Sequence, residues 1–538
     1  MPDRRLIPVI DLFAGPGGLG EGFSAFSSGN GSHAFRIALS IEMEEWAHKT
    51  LELRSFFRHF PVGKAPGEYY DHLRGQLTRG ELFAGFPDKA EAAGYEAWRA
   101  ELGVVPPSDV DRRIRDALGA VDPWILCGGP PCQAFSVVGR SRNGGIAEDD
   151  HRVYLYKQYL RILSVHEPPV FIMENVKGLL SSEVRGSDIF DQMLGDLRHP
   201  AKVVRGAQRA GAKYALHSLF LTPPAWYLDG HHHCKPRDFV IKCEDYGIPQ
   251  SRHRVIILGI REDLALQEIP VLRAWDKAIP ASKVLRGLPR LRSGLTRSED
   301  GKAEWRAAVT SVLDAEFMKS RRNGAEADLR RYIARTVYNL RDMQADRGGE
   351  FVVHDATCDY DPEWFLDPLM GGVCNHSSRP HMVRDLHRYL FAACYARVHF
   401  RSPELSDFPP ELHPDHRSLK NALSKGYFDD RFRVQMANRP ATTIASHIAK
   451  DGHYYIHYDE TQCRSLTVRE SARLQTFPDN YYFCGPRTHQ YRQVGNAVPP
   501  LLARQIASLV ARILNGTTSS ALDARTSVLQ PRKATDNG

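Results

Sequence analysis

The amino-acid sequence predicts an α/β fold with a mainly parallel β-sheet, and three observations lead to this prediction. The first is a set of short, continuously apolar segments, typical of strands buried on both faces. These segments lie at 6–13, 34–42, 124–129, 170–176 and 254–260. The second is the helical pattern between them, as at 153–166. The third is a glycine-rich turn directly after the first apolar segment. Alternating strands and helices indicate a parallel sheet covered by helices.

The length and charge of the chain set broad limits on its function. Its 538 residues are enough for two or more domains with full-sized cores. The formal net charge is +7, from 71 Lys and Arg against 64 Asp and Glu. This mild excess is compatible with a polyanionic partner, and equally with an ordinary solvated surface.

The sequence gives no indication of a membrane or a secretory pathway. No apolar run approaches the roughly 18–20 residues that a membrane-spanning helix needs. The N-terminus lacks the long apolar region and the cleavage site of a signal peptide. We therefore expect a cytoplasmic protein. Its nine scattered cysteines are then expected to be reduced, and one of them is a candidate nucleophile.

The middle of the chain differs from both ends. The segment 263–436 is richer in Arg, His and Asp and lacks the strand–helix alternation, so we predict a second domain inserted into the first. Regular patterns return at 437–514, where Thr467 followed by Glu470 forms a capping-box signature for a helix start. The tail 515–538 is polar and is predicted to be disordered.

The glycine-rich turn predicts a cofactor site. Gly15, Gly17 and Gly20 satisfy the pattern G-x-G-x-x-G, which allows a tight turn and a close approach of the backbone to a ligand. Glu42, at the end of the second apolar segment, is placed to bind ribose hydroxyls. The motif suits a nicotinamide enzyme and an S-adenosylmethionine enzyme equally, and a strand–turn–helix without any ligand also fits it.

Cys132 lies at a rigid corner after the apolar segment 124–129. Pro130 and Pro131 fix the backbone before it, so the sulfur is directed to the end of a central strand. The polar, glycine-containing segment "GRSRNGG" that follows predicts a flap. A thiolate held in this way is a good nucleophile. The alternative is a buried structural thiol.

Six stretches now identify a resemblance to the DNA (cytosine-5)-methyltransferases of bacterial type, in the order that this family keeps. They are "DLFAGPGG", "GGPPCQAFS", "MENVKGLL", "DYGIPQSRHRVIILGI", "LTVRESARLQTFPDNY" and "QVGNAVPP". Together the motifs cover roughly 1–262 and 437–512. The resemblance implies a Rossmann-like class I S-adenosylmethionine-dependent methyltransferase domain. That domain is discontinuous, with a target-recognition domain inserted at 263–436 and the last helix packed beside the first strand.

The resemblance implies a role for each matching catalytic residue. Cys132 matches the nucleophile that adds to C6 of cytosine, and this addition activates C5. Glu174 matches the acid at N3 and the exocyclic amine, and Arg254 matches the residue that binds O2. Arg252 is the structural neighbour of Arg254, and Asn175 is expected to brace the loop that carries Cys132. The base that removes the C5 proton is not assigned.

The resemblance also implies the residues that bind the cofactor S-adenosylmethionine. They are Phe13, Gly15, Gly17, Gly18, Glu42, Pro130, Asn496 and Val498. About sixty additional residues before 124 obscure the motif whose acid contacts adenine, and Asp109 is the candidate there.

Double-stranded DNA is the partner that the resemblance implies, with the target base flipped out of the helix. The candidates for contact with DNA in the flap are Gln133, Ser136, Arg140 and Arg142. The stretch 375–389, dense in His and Arg, is a further candidate, although a solvated helix face explains it equally well.

Two patches resemble metal sites only superficially, and we predict no metal. The first patch contains His231, His233, Cys234 and Cys243, and the second contains Cys358, Cys374 and His376. Neither repeats the paired C-x₂-C spacing of structural zinc sites.

Two rival functions stay open beside the DNA enzyme. One is a tRNA cytosine-5 methyltransferase, although those relatives are compact and lack a large variable domain. The other is a catalytically silent DNA-binding regulator, which the presence of Cys132, Glu174 and Arg254 disfavours. The family also suggests a nucleoid-associated location and a restriction–modification or phage-defence setting, with a cognate nuclease or defence complex encoded separately.

Overall fold

A computed structural model describes residues 6–27, 32–131, 151–181, 183–184, 187–204, 211–221, 235–264, 269–320, 324–340, 346–415 and 429–515. Its centre is one mixed sheet of eight strands. These are β1 Ile7–Leu12, β2 Phe35–Glu42, β3 Ala97–Arg99, β4 Ile125–Gly128, β5 Val170–Val176, β6 Tyr214–His217, β7 Val240–Lys242 and β8 His253–Arg261. All five strands predicted from apolar segments are therefore confirmed.

The strand order places the candidate site at the carboxyl ends of the central strands. The order is β3-β2-β1-β4-β5-β8-β6, and β7 also pairs with β8. The strands from β3 to β5 run parallel, whereas β8 is antiparallel to β5. The order changes direction between β1 and β4, so a crevice forms outside their carboxyl ends. The glycine-rich turn and the stretch before Cys132 both enter this crevice.

Helices cover both faces of the sheet and build the insert. They are α1 Gly18–Ser24, α2 Glu45–Arg58, α3 Gly67–Leu73, α4 Arg79–Gly85, α5 Pro87–Glu96, α6 Pro107–Leu118, α7 His151–His166, α8 Ile189–Arg198, α9 Pro200–Val203, α10 Ser282–Leu285, α11 Lys302–Thr310, α12 Glu316–Lys319, α13 Ala325–Asn339, α14 Pro362–Phe365, α15 Val383–His399, α16 Val468–Leu474, α17 Arg487–Asn496 and α18 Pro500–Asn515. Alternate residues of β1 belong to two hydrophobic cores on opposite faces of the sheet, with Val9 on one face and Ile10 on the other.

The last helix packs along α1. The resemblance implies a position directly beside the first strand, so the structure differs from that expectation. Gly22 makes the packing on α1 possible, because a Cβ there would lie 2.4 Å from the Pro500 carbonyl oxygen and 2.4 Å from the Ala503 Cβ. One helical stretch in the described part, Arg487–Leu514, is long and apolar enough to cross a membrane, yet 72% of its most apolar window is buried inside the protein. Core helices pass the same test.

The inserted segment has a core of its own. Trp305, Ile333 and Leu390, from α11, α13 and α15, are central to it. A hairpin of β9 Gly348–Val353 and β10 Gly372–Ser377 lies in the same segment. The core also draws on Ile456 and Cys463, which lie beyond the predicted boundary at 436.

The additional residues before 124 form α2 to α5, which brace the insert. The Tyr70 hydroxyl donates to Asp367 Oδ2 at 2.9 Å, and Arg74 donates to the carbonyl oxygens of Leu369 and Met370 at 2.6 and 3.1 Å. Met370 is buried in the same apolar cluster as Tyr70. Through these contacts the extra helices join the insert to the catalytic half of the chain.

The predicted capping box at the start of α16 is confirmed. The Thr467 side chain accepts from the Glu470 N–H at 3.1 Å, and Glu470 Oε2 accepts from the Thr467 N–H at 2.8 Å. The Glu470 carboxylate also receives two hydrogen bonds from Arg464, at 2.6 and 2.7 Å, and both side chains are buried. Arg464 and His457 lower the pKa of Glu470 far below its usual range, despite the opposing effect of burial.

We expect Glu470→Gln to lower the free energy of unfolding at pH 7 by about 3–5 kcal/mol, because it leaves the Arg464 guanidinium buried without its counter-charge. The folded-state pKa is depressed, so the contribution of the carboxylate is present above the unfolded pKa of about 4.3 and is lost as the pH falls below it. Urea denaturation at several pH values measures both effects.

The matched control is Glu316→Gln, because Glu316 is 81% exposed and forms a surface pair with Lys319. The loss there is expected to stay below about 1 kcal/mol. Equal losses for the two variants would contradict the role assigned to Glu470.

Candidate active site

The glycine-rich turn takes the backbone conformations that a cofactor loop requires. Phe13, Gly15 and Gly17 have positive φ angles of 55°, 56° and 92°, and Gly17 caps the start of α1. A Cβ on Gly15 would meet no atom within 4 Å, so this side of the loop is open. Glycine enters such backbone regions without the strain that a side chain brings, which accounts for the glycines at positions 15 and 17.

Glu42 holds the loop from the end of β2. Its Oε2 accepts from the Gly15 N–H at 2.8 Å, and its Oε1 accepts from the Glu44 N–H at 2.7 Å. Burial raises the pKa of Glu42. Burial likewise raises the pKa of neighbouring Asp11, to about 7, and the nearby Glu42 charge adds to this. Two acids with raised pKa values therefore lie beneath the loop.

The closing motif reaches the glycine loop across most of the chain. A Cβ on Gly18 would lie 2.1 Å from the Val498 carbonyl oxygen, so these two backbones are in direct contact. Asn496 is the exposed last residue of α17. The Tyr481 hydroxyl donates to the Pro16 carbonyl oxygen and fixes the loop from another side. The structure thus brings Gly18 and Val498 together.

Glu174 and Arg254 meet at the carboxyl edge of the sheet. Arg254 Nε lies 2.9 Å from Glu174 Oε1, and each side chain is 13% exposed. The pair forms because β8 runs antiparallel to β5, which places the start of one strand beside the end of the other. A Cβ on Gly129 would lie 2.9 Å from Glu174 Oε2. The carboxylate therefore touches the backbone three residues before Cys132, next to the buried Pro130.

Arg252 is buried and holds parts of the backbone together. Its side chain is completely buried, and it donates to the carbonyl oxygens of Ile444 at 2.8 Å and Gly495 at 3.1 Å. Burial and the charge of Arg254 lower its pKa to about 9. Gln250 is also buried and accepts from the Ile444 N–H at 2.7 Å. This pair joins β8 to the part of the chain that follows the insert.

Several predicted residues fall outside the described part of the chain. They are Cys132, Gln133, Ser136, Arg140 and Arg142. Asn175 is described and buried, and its Oδ1 accepts from the Val176 N–H at 2.7 Å. The loop that we expected Asn175 to brace lies among the residues that are not described.

Asp109, the candidate for the acid that contacts adenine, lies on a helix and not at the end of a strand. It lies in the first turn of α6, 38% exposed, and pairs with Arg112 at 2.9 Å. Glu101 lies much closer to the carboxyl end of β3, two residues after Arg99, where the Ala100 N–H donates to the Glu42 carbonyl oxygen at 3.2 Å. The short strand β3 lacks a long apolar run, which is why sequence patterns did not reveal the acid at its end.

Among the residues considered for zinc, one histidine is hydrogen-bonded, three cysteines are buried free thiols, and the others are not described. His376 shares hydrogen bonds with Thr467 Oγ1 at 2.9 Å and the Pro289 carbonyl oxygen at 2.8 Å. Cys358 and Cys374 are free, buried thiols. His231, His233 and Cys234 lie outside the described residues. Across the described ranges, no group of three His, Cys, Asp or Glu side chains is arranged to hold a metal ion.

Comparison with known proteins decides the family. The family model of the C-5 cytosine-specific DNA methylases matches residues 88–199 and 237–512. This chain belongs to the C-5 cytosine-specific DNA methylase family. The type II methyltransferase M.Bpa9945I of Bacillus paralicheniformis is 31% identical over 535 residues, which cover 94% of this chain and 99% of the relative.

Two further members of the family align over most of their length. The type II methyltransferase M.AgeI of Thalassovita gelatinovora is 26% identical, over 93% of this chain and 98% of the relative. The DNA (cytosine-5-)-methyltransferase M.ApeKI of Aeropyrum pernix is 24% identical, over 77% of this chain and 87% of the relative. The protein is thus a DNA cytosine-5 methyltransferase, with the Rossmann-like fold of enzymes that use S-adenosylmethionine.

We expect Gly18→Ala to destabilise this methylase by about 3 kcal/mol, because the new methyl group would overlap the Val498 carbonyl oxygen. The backbones of the first and last motifs would have to separate. The free energy of unfolding from urea denaturation measures the loss.

Gly195→Ala provides the matched control, since Gly195 lies in α8 and a Cβ there would meet nothing within 4 Å. That change is expected to stabilise the helix by up to about 1 kcal/mol. If Gly18→Ala were equally harmless, the close contact with Val498 would be wrong.

Proposed function

We propose that the enzyme methylates C5 of a flipped-out cytosine within a specific duplex DNA sequence, through a covalent bond between Cys132 and C6. The Glu174–Arg254 pair is the observation that carries this proposal. It lies at the carboxyl edge of the sheet, against Gly129, which is three residues before Cys132 in the chain. The same edge carries the glycine loop, so a base and a cofactor can meet there.

The arrangement of Glu174 and Arg254 matches one edge of a cytosine ring. N3 is bonded to the ring carbon C2 that carries O2, and the two side chains are 2.9 Å apart. Arg254 would donate to O2, and Glu174 would bind N3 and the exocyclic amine. Both are held by strands before the base arrives, which reduces the entropy lost on binding.

The chemistry gives Cys132 and Glu174 defined roles in the proposed reaction. The Cys132 thiolate adds to C6, and Glu174 supports the proton at N3 that relieves charge on the ring. C5 then becomes nucleophilic and would take the methyl group, while the electron pair of the broken S–CH3 bond would stay on the sulfur of the cofactor. Loss of the C5 proton to a base follows, and expulsion of Cys132 restores the aromatic ring. An enzyme that acts on C5 of a paired base must first flip it out.

The glycine loop fits S-adenosylmethionine, which supplies an electrophilic methyl group when bound. The open side of Gly15 leaves room for the ligand, and Glu42 lies directly beneath the loop. The residues proposed to hold the cofactor are Phe13, Gly15, Gly17, Gly18, Glu42, Pro130, Asn496 and Val498. Gln133, Ser136, Arg140 and Arg142 remain proposed DNA contacts of the flap.

The setting that we propose is defence of a host genome. The names of the relatives include type II methyltransferases, which suggests a restriction–modification system with a separately encoded nuclease. Such an enzyme would act in the cytoplasm, on the nucleoid. The large insert, with its own core, disfavours a tRNA substrate. The retained Cys132, Glu174 and Arg254 disfavour a silent regulator.

Base-resolution mapping of 5-methylcytosine tests the proposal. We expect one recurring methylated motif in the DNA of a methylation-free bacterial host that expresses the chain. A host that expresses Cys132→Ala should show none, because the nucleophile is gone. Absence of methylation with the wild-type chain, while that chain is folded and binds S-adenosylmethionine, would refute the stand-alone DNA enzyme.

We further propose that Glu101, at the end of β3, takes the adenine position that Asp109 was expected to fill. Glu101→Gln should weaken the binding of S-adenosylmethionine about tenfold, because a carboxylate hydrogen bond to the adenine amine contributes roughly 1.5 kcal/mol. Isothermal titration calorimetry measures the change in Kd.

Asp109→Asn is the matched control, because Asp109 lies on the partly exposed side of α6. It should leave the Kd unchanged. A loss of affinity in Asp109→Asn with none in Glu101→Gln would reverse the assignment.

A further inference from the structure

A cavity of about 400 Å³ lies away from the methyl-transfer site and has no assigned role. Four separate parts of the chain line it: Thr296, the turn before α15, the segment that follows the insert, and the first half of α17. Arg379, His381, Lys450, His453 and Arg487 are its basic lining residues. The cavity therefore lies where the insert meets the second catalytic segment.

Positive charge dominates this cavity. Arg379, Lys450 and Arg487 carry permanent charges, and in the described part of the chain none of them forms an ion pair with a carboxylate. Two acids also line the cavity. Asp385 is neutralised by Arg388 at 2.7 Å, and Asp451 is a half-exposed acid 4.0 Å from His453. The unpaired cations predict an anionic ligand.

The basic groups are held in position by the protein. Arg379 is buried, donates to the Ile448 carbonyl oxygen and stacks on Tyr491, with 4.1 Å between the guanidinium carbon and the ring centroid. Arg487 donates to the Ser378 carbonyl oxygen at 2.9 Å. These contacts use only part of each guanidinium, since an arginine carries five N–H donors. The remaining donors can face a ligand in the cavity.

His381 adds an independent sign of a ligand. It is 6% exposed, and its Nε2 has no hydrogen-bond partner among the described residues. Its Nδ1 lies 3.4 Å from the Tyr389 hydroxyl, which also bonds His453 Nδ1 at 2.7 Å. Burial and neighbouring cations lower the pKa of His381. A buried, unpaired ring nitrogen is costly unless a ligand satisfies it.

We propose that this cavity binds a backbone phosphate of duplex DNA and so fixes the position of the DNA relative to the active site. The inference rests on the proposed DNA substrate. Helix α17 links the two places, because Arg487 begins it and Asn496 ends it. Ten helical residues span about 15 Å. A duplex held at the cavity therefore lies within reach of a cytosine that is flipped into the active site.

The structure also restricts which residues of the stretch 375–389 can contact DNA. Its helical part is internal or bonded, since Arg388 is buried on Asp385 and His387 shares a hydrogen bond with the Ala308 carbonyl oxygen. The turn that contains Arg379 and His381 faces the cavity instead. Next to it, Met382 is 45% exposed at the rim.

Salt dependence of DNA binding tests the phosphate site. Lys450 is exposed, so Lys450→Gln is not expected to disturb folding. With a 30-base-pair duplex of random sequence, the slope of log K against log salt should become shallower by about 0.9, the value for one lost phosphate contact. Arg487→Gln should give a similar change. Fluorescence anisotropy at several salt concentrations measures the slope.

Lys89→Gln is the control, because Lys89 is an exposed lysine on α5, and its slope should equal that of the wild type. Wild-type slopes in both cavity variants, with methylation intact, would overturn the phosphate site alone. A wild-type chain that neither binds duplex DNA nor methylates it would overturn the proposed function instead. Inorganic phosphate could instead stabilise the wild type but not Lys450→Gln, with DNA unable to displace it. That result would assign the cavity to a free anion and overturn the DNA assignment.

Discussion

The site depends most on the hydrogen bonds of the buried Arg252 guanidinium. A charged group without water is costly, and here backbone carbonyl oxygens of Ile444 and Gly495 replace the water. One of these oxygens follows the insert and the other precedes Asn496. The interaction therefore sets the position of α17 against β8. With α17 in place, the Val498 carbonyl can lie against Gly18 and complete the loop that receives the cofactor.

The same short segment, from Gln250 to Arg254, serves structure and chemistry at once. Arg252 points into the protein and joins two parts of the chain, whereas Arg254 reaches Glu174 at the crevice. The antiparallel direction of β8 is the reason. A parallel strand would have carried its first residues to the opposite edge of the sheet, far from the end of β5 and from Gly129.

The insert is fastened to the catalytic part on more than one side. Tyr70 and Arg74 bind the segment around Asp367 and Met370, and Arg379 stacks on Tyr491 of α17. These contacts bury side chains from distant parts of the chain, so the insert and the sheet have a fixed relative position. The recognition role proposed for the insert needs this fixed position, because a small shift of bound DNA would displace the target base from the reacting groups.

The sequence by itself determined the five central strands, the capping box at Thr467 and the identity of the family, because apolar runs, caps and motifs are local patterns. It also named Glu174 and Arg254, which the structure brings together. Only the tertiary structure decided that the last helix packs on α1, that Glu101 rather than Asp109 lies close to the end of β3, and that basic residues from three segments share one cavity. Such contacts join residues far apart in the chain, and no local periodicity encodes them.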